Sequence, residues 1–206
     1  MKSLKHVFVG FLISFFGSLP LGYLNIAGLQ IYTSSGLWRL SWYLLGVISV
    51  EVIVIYFTLV FAETLVKKQK MMRFVDAFSA CFMFVLALVF YWSAYHDVAT
   101  SINTHGLYDA YWIGVCLSGL NFLQLPFWTG WHLYLLNKRH IDIRVRHRYF
   151  YVFGTAVGTF CGMLGFVFCL ARLAPFFSGY LMHILAAAFA VIGCVQARKY
   201  YLKYQK

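Results

Sequence analysis

Acidic side chains are scarce in this chain: six Asp and Glu stand against 17 Lys and Arg, and charged residues make up only 11% of its 206 positions. So few charges exclude a water-soluble domain of ordinary composition, and 62% apolar residues is more than one soluble core of this length buries. Signature motifs are missing too. There is no G-x-x-x-x-G-K-[ST] run to cradle a nucleotide, no H-E-x-x-H or G-x-S-x-G, and no His/Asp/Glu cluster at ligand spacing along one helix. No enzyme, catalytic residue, metal site or cofactor is expected, so any active transport has to draw on an ion gradient or a partner. The five cysteines (Cys81, Cys116, Cys161, Cys169, Cys194) all lie in apolar runs and form no C-x-x-C pair, which reads as small membrane-compatible residues rather than disulfide or metal chemistry.

What the sequence does have is long apolar stretches, at about 7–31, 40–62, 74–92, 108–136, 150–173 and 176–197. Each is long enough to cross a hydrocarbon core, which takes about 20 residues as a helix. Without barrel-type alternation, helices are the spanning form in which every backbone group is paired internally. The expected fold is therefore an all-α integral membrane protein of six transmembrane helices, a single domain over 1–206. The N-terminal run continues past Gly17 and Ser18 without an A-x-A-like site and reads as an uncleaved first span rather than a signal peptide.

Charge sets the orientation. With both termini in the cytoplasm, every Lys and Arg except Arg39 and Arg172 falls on the cytoplasmic side, as the positive-inside rule requires of an inner-membrane protein. The formal charge of +11 thus points to anionic lipid headgroups as partners and not to nucleic acid. Trp38, Trp42, Tyr91, Trp92, Tyr108 and Trp112 gather at the expected outer boundary, and Tyr149, Tyr200 and Tyr201 at the inner one, as interfacial anchors.

The two halves, about 1–100 and 105–206, share landmarks in the same order. Leu19-Pro20 and Leu125-Pro126 sit inside long spans, and Tyr43-x-x-Gly46 and Tyr151-x-x-Gly154 open the spans that follow. Three spans per half is odd, so the second half enters the membrane inverted, giving a 3+3 inverted-topology repeat. A proline lacks the N–H and crowds the carbonyl four residues earlier, so Pro20 and Pro126 should break their helices. Gly22 and Asn25 near one break, and Asn121 and Gln124 near the other, then become candidate substrate contacts, because freed backbone groups and side-chain amides can replace a solute's hydration. The bland reading is a pair of kinks whose amides bond neighbouring helices.

The segments Gly17 to Asn25 (GSLPLGYLN) and Asn121 to Trp128 (NFLQLPFW) resemble the Pro-Gly-Pro segment with its following Asn, and the Asn-Pro segment, of the LysE/RhtB family of bacterial exporters. The first lacks the family's second proline, and in the second the proline is displaced from the asparagine. The resemblance implies six spans and export of an amino acid or related small polar solute. A carrier for a metal ion or another small solute, and a membrane thiol–disulfide carrier, are the alternative readings. The latter needs reactive cysteines at the breaks, and none stands beside Pro20 or Pro126.

Glu51 is the one carboxylate expected deep in a span, where it has to be protonated or face a polar partner. That makes it the candidate coupling or substrate-ammonium residue. Glu63, Asp76 and Asp142 lie near basic clusters and read as interfacial ion pairs, Asp97 and Asp109 as solvated, and Arg172 as snorkelling outward. His132 and His183 are proton-relay candidates that are more often packing residues. Gly154, Gly158, Gly162 and Gly165 form one small-residue face whose partner helix lies either in this chain or in a second copy of a homo-oligomer.

Overall fold

The computed structural model describes residues 2–18, 22–67, 69–96, 106–137, 145–177 and 180–204. Among these, every regular element is a helix: α1 (Lys2–Gly17), α2 (Tyr23–Lys67), α3 (Gln69–His96), α4 (Leu107–Gly119), α5 (Gln124–Asn137), α6 (Val145–Phe177) and α7 (Leu181–Tyr204). Two stretches among the described residues, Tyr23–Ala62 and His147–Leu173, are long and apolar enough to cross a membrane.

The boundaries depart from the six apolar stretches in four places. The first stretch is split, because α1 stops at Gly17 and the chain becomes helical again only at Tyr23. The Ser18 hydroxyl donates to the carbonyls of Ser14 and Phe15, which closes the last turn of α1. The expected break between the first two stretches is present but narrows to Gly36, whose non-helical backbone (φ 81°, ψ 179°) is open to glycine, so α2 is two helices joined across a kink. The fourth stretch is split into α4 and α5. Pro126 does not kink a continuous helix there; it sits in the first turn of α5, where a missing N–H costs nothing, and the break precedes it. Finally, α6 runs through Pro175 to Phe177, so Phe176 ends the fifth stretch instead of opening the sixth.

Packing pairs helices that are far apart in sequence. α1 lies along α6, α4 along α2, and α3 along α7, while α5 packs on α2. Glycines let two of these pairs come together backbone to backbone. A Cβ on Gly154 would strike the Val7 carbonyl and one on Gly10 that of Tyr151; likewise Gly46 abuts the Tyr111 carbonyl and Gly114 that of Tyr43. Gly158 and Gly162 continue the first seam against Phe11 and Phe15 of α1. The partner of the glycine face is therefore α1 of the same chain, and Gly165 does not belong to the seam, since nothing lies within 4 Å of its position.

The core is apolar, with a minority of polar residues, and the outer surface is apolar as well. Large apolar side chains point outward, among them Ile53 (68% exposed), Phe153 (63%), Leu88 (68%) and Val191 (62%). Ser14, Thr58, Ser118, Gln124, His132 and Thr159 are buried. All five cysteines lie on the outer surface as free thiols.

Candidate functional site: a cavity between two helix breaks

The two interruptions meet. The Tyr23 hydroxyl, at the start of α2, donates to the Leu117 carbonyl in the last turns of α4 at 2.7 Å. Broken helix ends carry carbonyls with no partner in the helix, and here side-chain amides take some of them. Asn25 donates through Nδ2 to the Ser18 carbonyl at 2.8 Å across the first break, and Gln124 donates through Nε2 to the Ser118 carbonyl at 3.1 Å across the second. The Gly22 carbonyl accepts from the backbone of both Asn25 and Ile26, starting α2, as the Asn121 carbonyl accepts from Gln124 at the start of α5. Both helix starts point partial positive charge at the gap between them.

That gap is part of a cavity of about 580 Å³. Pockets of roughly 300–1,000 Å³ hold small organic ligands. Gly22, Asn25, Glu51, Asn121, Gln124 and Pro126 all line it. Pro20, with its neighbours Leu19 and Leu21, lies outside the described residues. The structure thus brings six of the seven candidate residues to one cavity.

Glu51 is held at the inner end by α6 and α5. Thr159 and Trp128 stand beside Glu51, and Thr159 in turn shares a hydrogen bond with Ser14 of α1. A carboxyl at the end of a cavity that also presents Met83, Met163, Phe127 and Phe189 suits a solute with a cationic group and an apolar body. The other end reaches Asp76, Lys199 and Lys203 at the start of α3 and the end of α7. Asp76 and Lys203 form an ion pair of 2.8 Å there.

No family profile, curated protein or solved structure matches this chain.

Other sequence expectations fall elsewhere. Asp109 is not merely solvated: its Oδ2 accepts the Gly106 N–H at 2.9 Å and caps α4. Asp97 and Asp142 lie outside the described residues, and so does the side chain of Glu63. His183 is exposed on α7, away from the cavity, whereas His132 is fully buried on α5. Sequence reasoning missed Tyr23, Ser14, Thr159 and Trp128. Trp128 stands within the quoted NFLQLPFW run, and Ser14 and Thr159 were legible only as small polar residues on helices whose pairing was not known.

Proposed function

We propose that this chain is a secondary transporter of the cytoplasmic membrane, a six-span 3+3 inverted repeat with both termini in the cytoplasm. It exports an amino acid or related small polar solute against an ion gradient, in keeping with its resemblance to the LysE/RhtB exporters. The observation that carries this reading is the cavity between the two helix breaks with Glu51 at its inner end. Paired discontinuous helices at a repeat interface are where secondary transporters bind substrate.

Two further observations support it. An apolar outer face over a core that also buries polar side chains suits lipid as solvent and would leave a soluble protein with large exposed patches. The glycine contacts follow the repeat: Val7 and Gly10 stand to Tyr151 and Gly154 as Tyr111 and Gly114 stand to Tyr43 and Gly46. The same correspondence makes Thr159 the counterpart of Glu51, and these two counterparts touch. That contact belongs on the pseudo-two-fold axis, about which one half would rock against the other. The cavity mouth carries Lys199 and Lys203, which the charge pattern puts inside, so this conformation is the one that loads from the cytoplasm.

The test is a thermal-shift screen of purified protein against amino acids, metal ions and small organic cations, followed by flux of any binder into proteoliposomes under an imposed proton gradient. Binding and flux of an amino acid are expected. Protein that binds and moves none of these solutes would refute the carrier reading.

A further inference from the structure

Behind Trp128, outside the cavity, lies a second group of polar atoms that the carrier reading does not use. Thr129 (2% exposed) and His132 (0%) are buried one turn apart on α5, and Tyr151 (1%) of α6 meets the His132 ring. The Thr129 hydroxyl, both ring nitrogens of His132 and the Tyr151 hydroxyl are all buried without a hydrogen-bond partner among the described residues. The Thr58 carbonyl of α2 faces the His132 ring without reaching hydrogen-bond geometry. Buried polar atoms are nearly always satisfied, by protein or by ordered water, so four in one place mark a hydrated site. The surrounding shell is apolar: Ile55, Leu59, Leu135 and Val152, with Val9 and Ile13 of α1.

The site lies in a line of titratable groups. The Trp128 indole is the neighbour of Glu51, and its ring stacks on His132 with centroids 5.5 Å apart. The His132 ring meets that of Tyr151 edge-on at 5.6 Å. One helical turn before Tyr151 stands His147, whose ring stacks on His6 of α1 at 4.6 Å. Of the titratable groups, Tyr151 of α6 meets the His132 ring directly; Glu51 of α2 lies beyond Trp128, and His147 of α6 and His6 of α1 lie beyond Tyr151. The line runs from the inner end of the cavity to the ends of α1 and α6 that the charge pattern places in the cytoplasm.

We infer that His132, Thr129 and Tyr151 form a water-bridged proton site that joins Glu51 to the cytoplasmic face by a route separate from the substrate cavity. It rests on the carrier reading for its purpose, not for its existence. A proton leaving the Glu51 carboxyl passes through water around Trp128 to one ring nitrogen of His132, the opposite N–H gives its proton through water to the Tyr151 hydroxyl, and that hydroxyl gives up its own proton to water leading to the ends of α1 and α6. Imidazole is suited to this because its two nitrogens exchange donor and acceptor roles. A separate route matters because solute in the cavity would plug the other path to Glu51.

Full-length protein, labelled with nitrogen-15 at histidine and reconstituted in phosphatidylethanolamine/phosphatidylglycerol liposomes, tests the site without any substrate. Solid-state spectra, with His132→Gln to assign the signal, should show cross-peaks from water protons to the His132 ring nitrogens. Tyr151→Phe and Thr129→Val should slow that exchange by about tenfold each, the loss of one hydrogen-bonded link. A dry ring, or exchange unchanged in both variants, overturns the inference. If His132→Gln folds, gradient-driven flux of an amino-acid mixture should fall in it while binding persists, and retained coupling also overturns it. Should wild-type protein move no amino acid yet show a wet His132, the carrier reading fails and the proton site stands.

Discussion

Gly46 of α2 rests directly on the carbonyl of Tyr111 in α4, closer than any side chain would allow. Gly154 meets the Val7 carbonyl of α1 in the same way, so each half of the chain grips the other through a glycine seam. Replacing Gly46 or Gly154 by Ala therefore forces the helices apart and should cost about 1–3 kcal/mol, as overpacking does. Thermal unfolding in detergent reads this as a lowered midpoint. Gly165→Ala, with open space around it, is the control and should leave the midpoint where it is.

Glu51 lines the cavity beside Thr159 and Trp128 of two other helices. Gln keeps the shape and one acceptor oxygen but cannot exchange a proton. Glu51→Gln should therefore fold and keep the wild-type unfolding midpoint, yet lose gradient-driven flux in proteoliposomes. Undiminished coupled flux would remove Glu51 from the mechanism.

Asn25 and Gln124 each hold a carbonyl across a break. The Ser118 carbonyl also accepts from the Asn121 N–H, so Gln124→Ala removes one of two bonds and should cost about 0.5–1.5 kcal/mol together with reduced substrate affinity. Pro126→Ala is expected to act differently, since it restores an N–H able to extend α5 backward and close the break. It should keep or raise stability while lowering flux, and a variant that transports normally would show that the interruption is not needed.

Lys199 and Lys203 stand at the mouth of the cavity. In a protein stripped of its five native cysteines, Lys199→Cys should react with a membrane-impermeant thiol reagent in inside-out vesicles and not in right-side-out ones, and the reaction should block flux. Labelling from the opposite side would reverse the topology. The exposed Asp76–Lys203 pair is worth about 0–1 kcal/mol, so Asp76→Asn should shift stability little.

Much of this was legible in the sequence because it depends on near neighbours. Apolar length and the absence of strand alternation determined helices, and the landmarks around Pro126 located a break within a few residues. Asn121, Gln124, Gly22 and Asn25 were legible for the same reason, since residues flanking an interrupted helix necessarily lie at the interruption. The details that failed were those in which backbone geometry competes with composition. The join between the two helices of α2 is only Gly36, and α6 continues through Pro175, because a single residue shifts a boundary that hydrophobicity alone cannot locate.

By itself, then, the sequence determined an all-helical chain, its interruptions and its lopsided charge, all properties of contiguous residues. Only the tertiary structure decided that the glycine face of α6 closes on α1, that Glu51 finds Thr159 and Trp128, and that His132 meets Tyr151. Those partners come from helices distant along the chain, and which face of one helix meets which face of another depends on side-chain packing that no local pattern records.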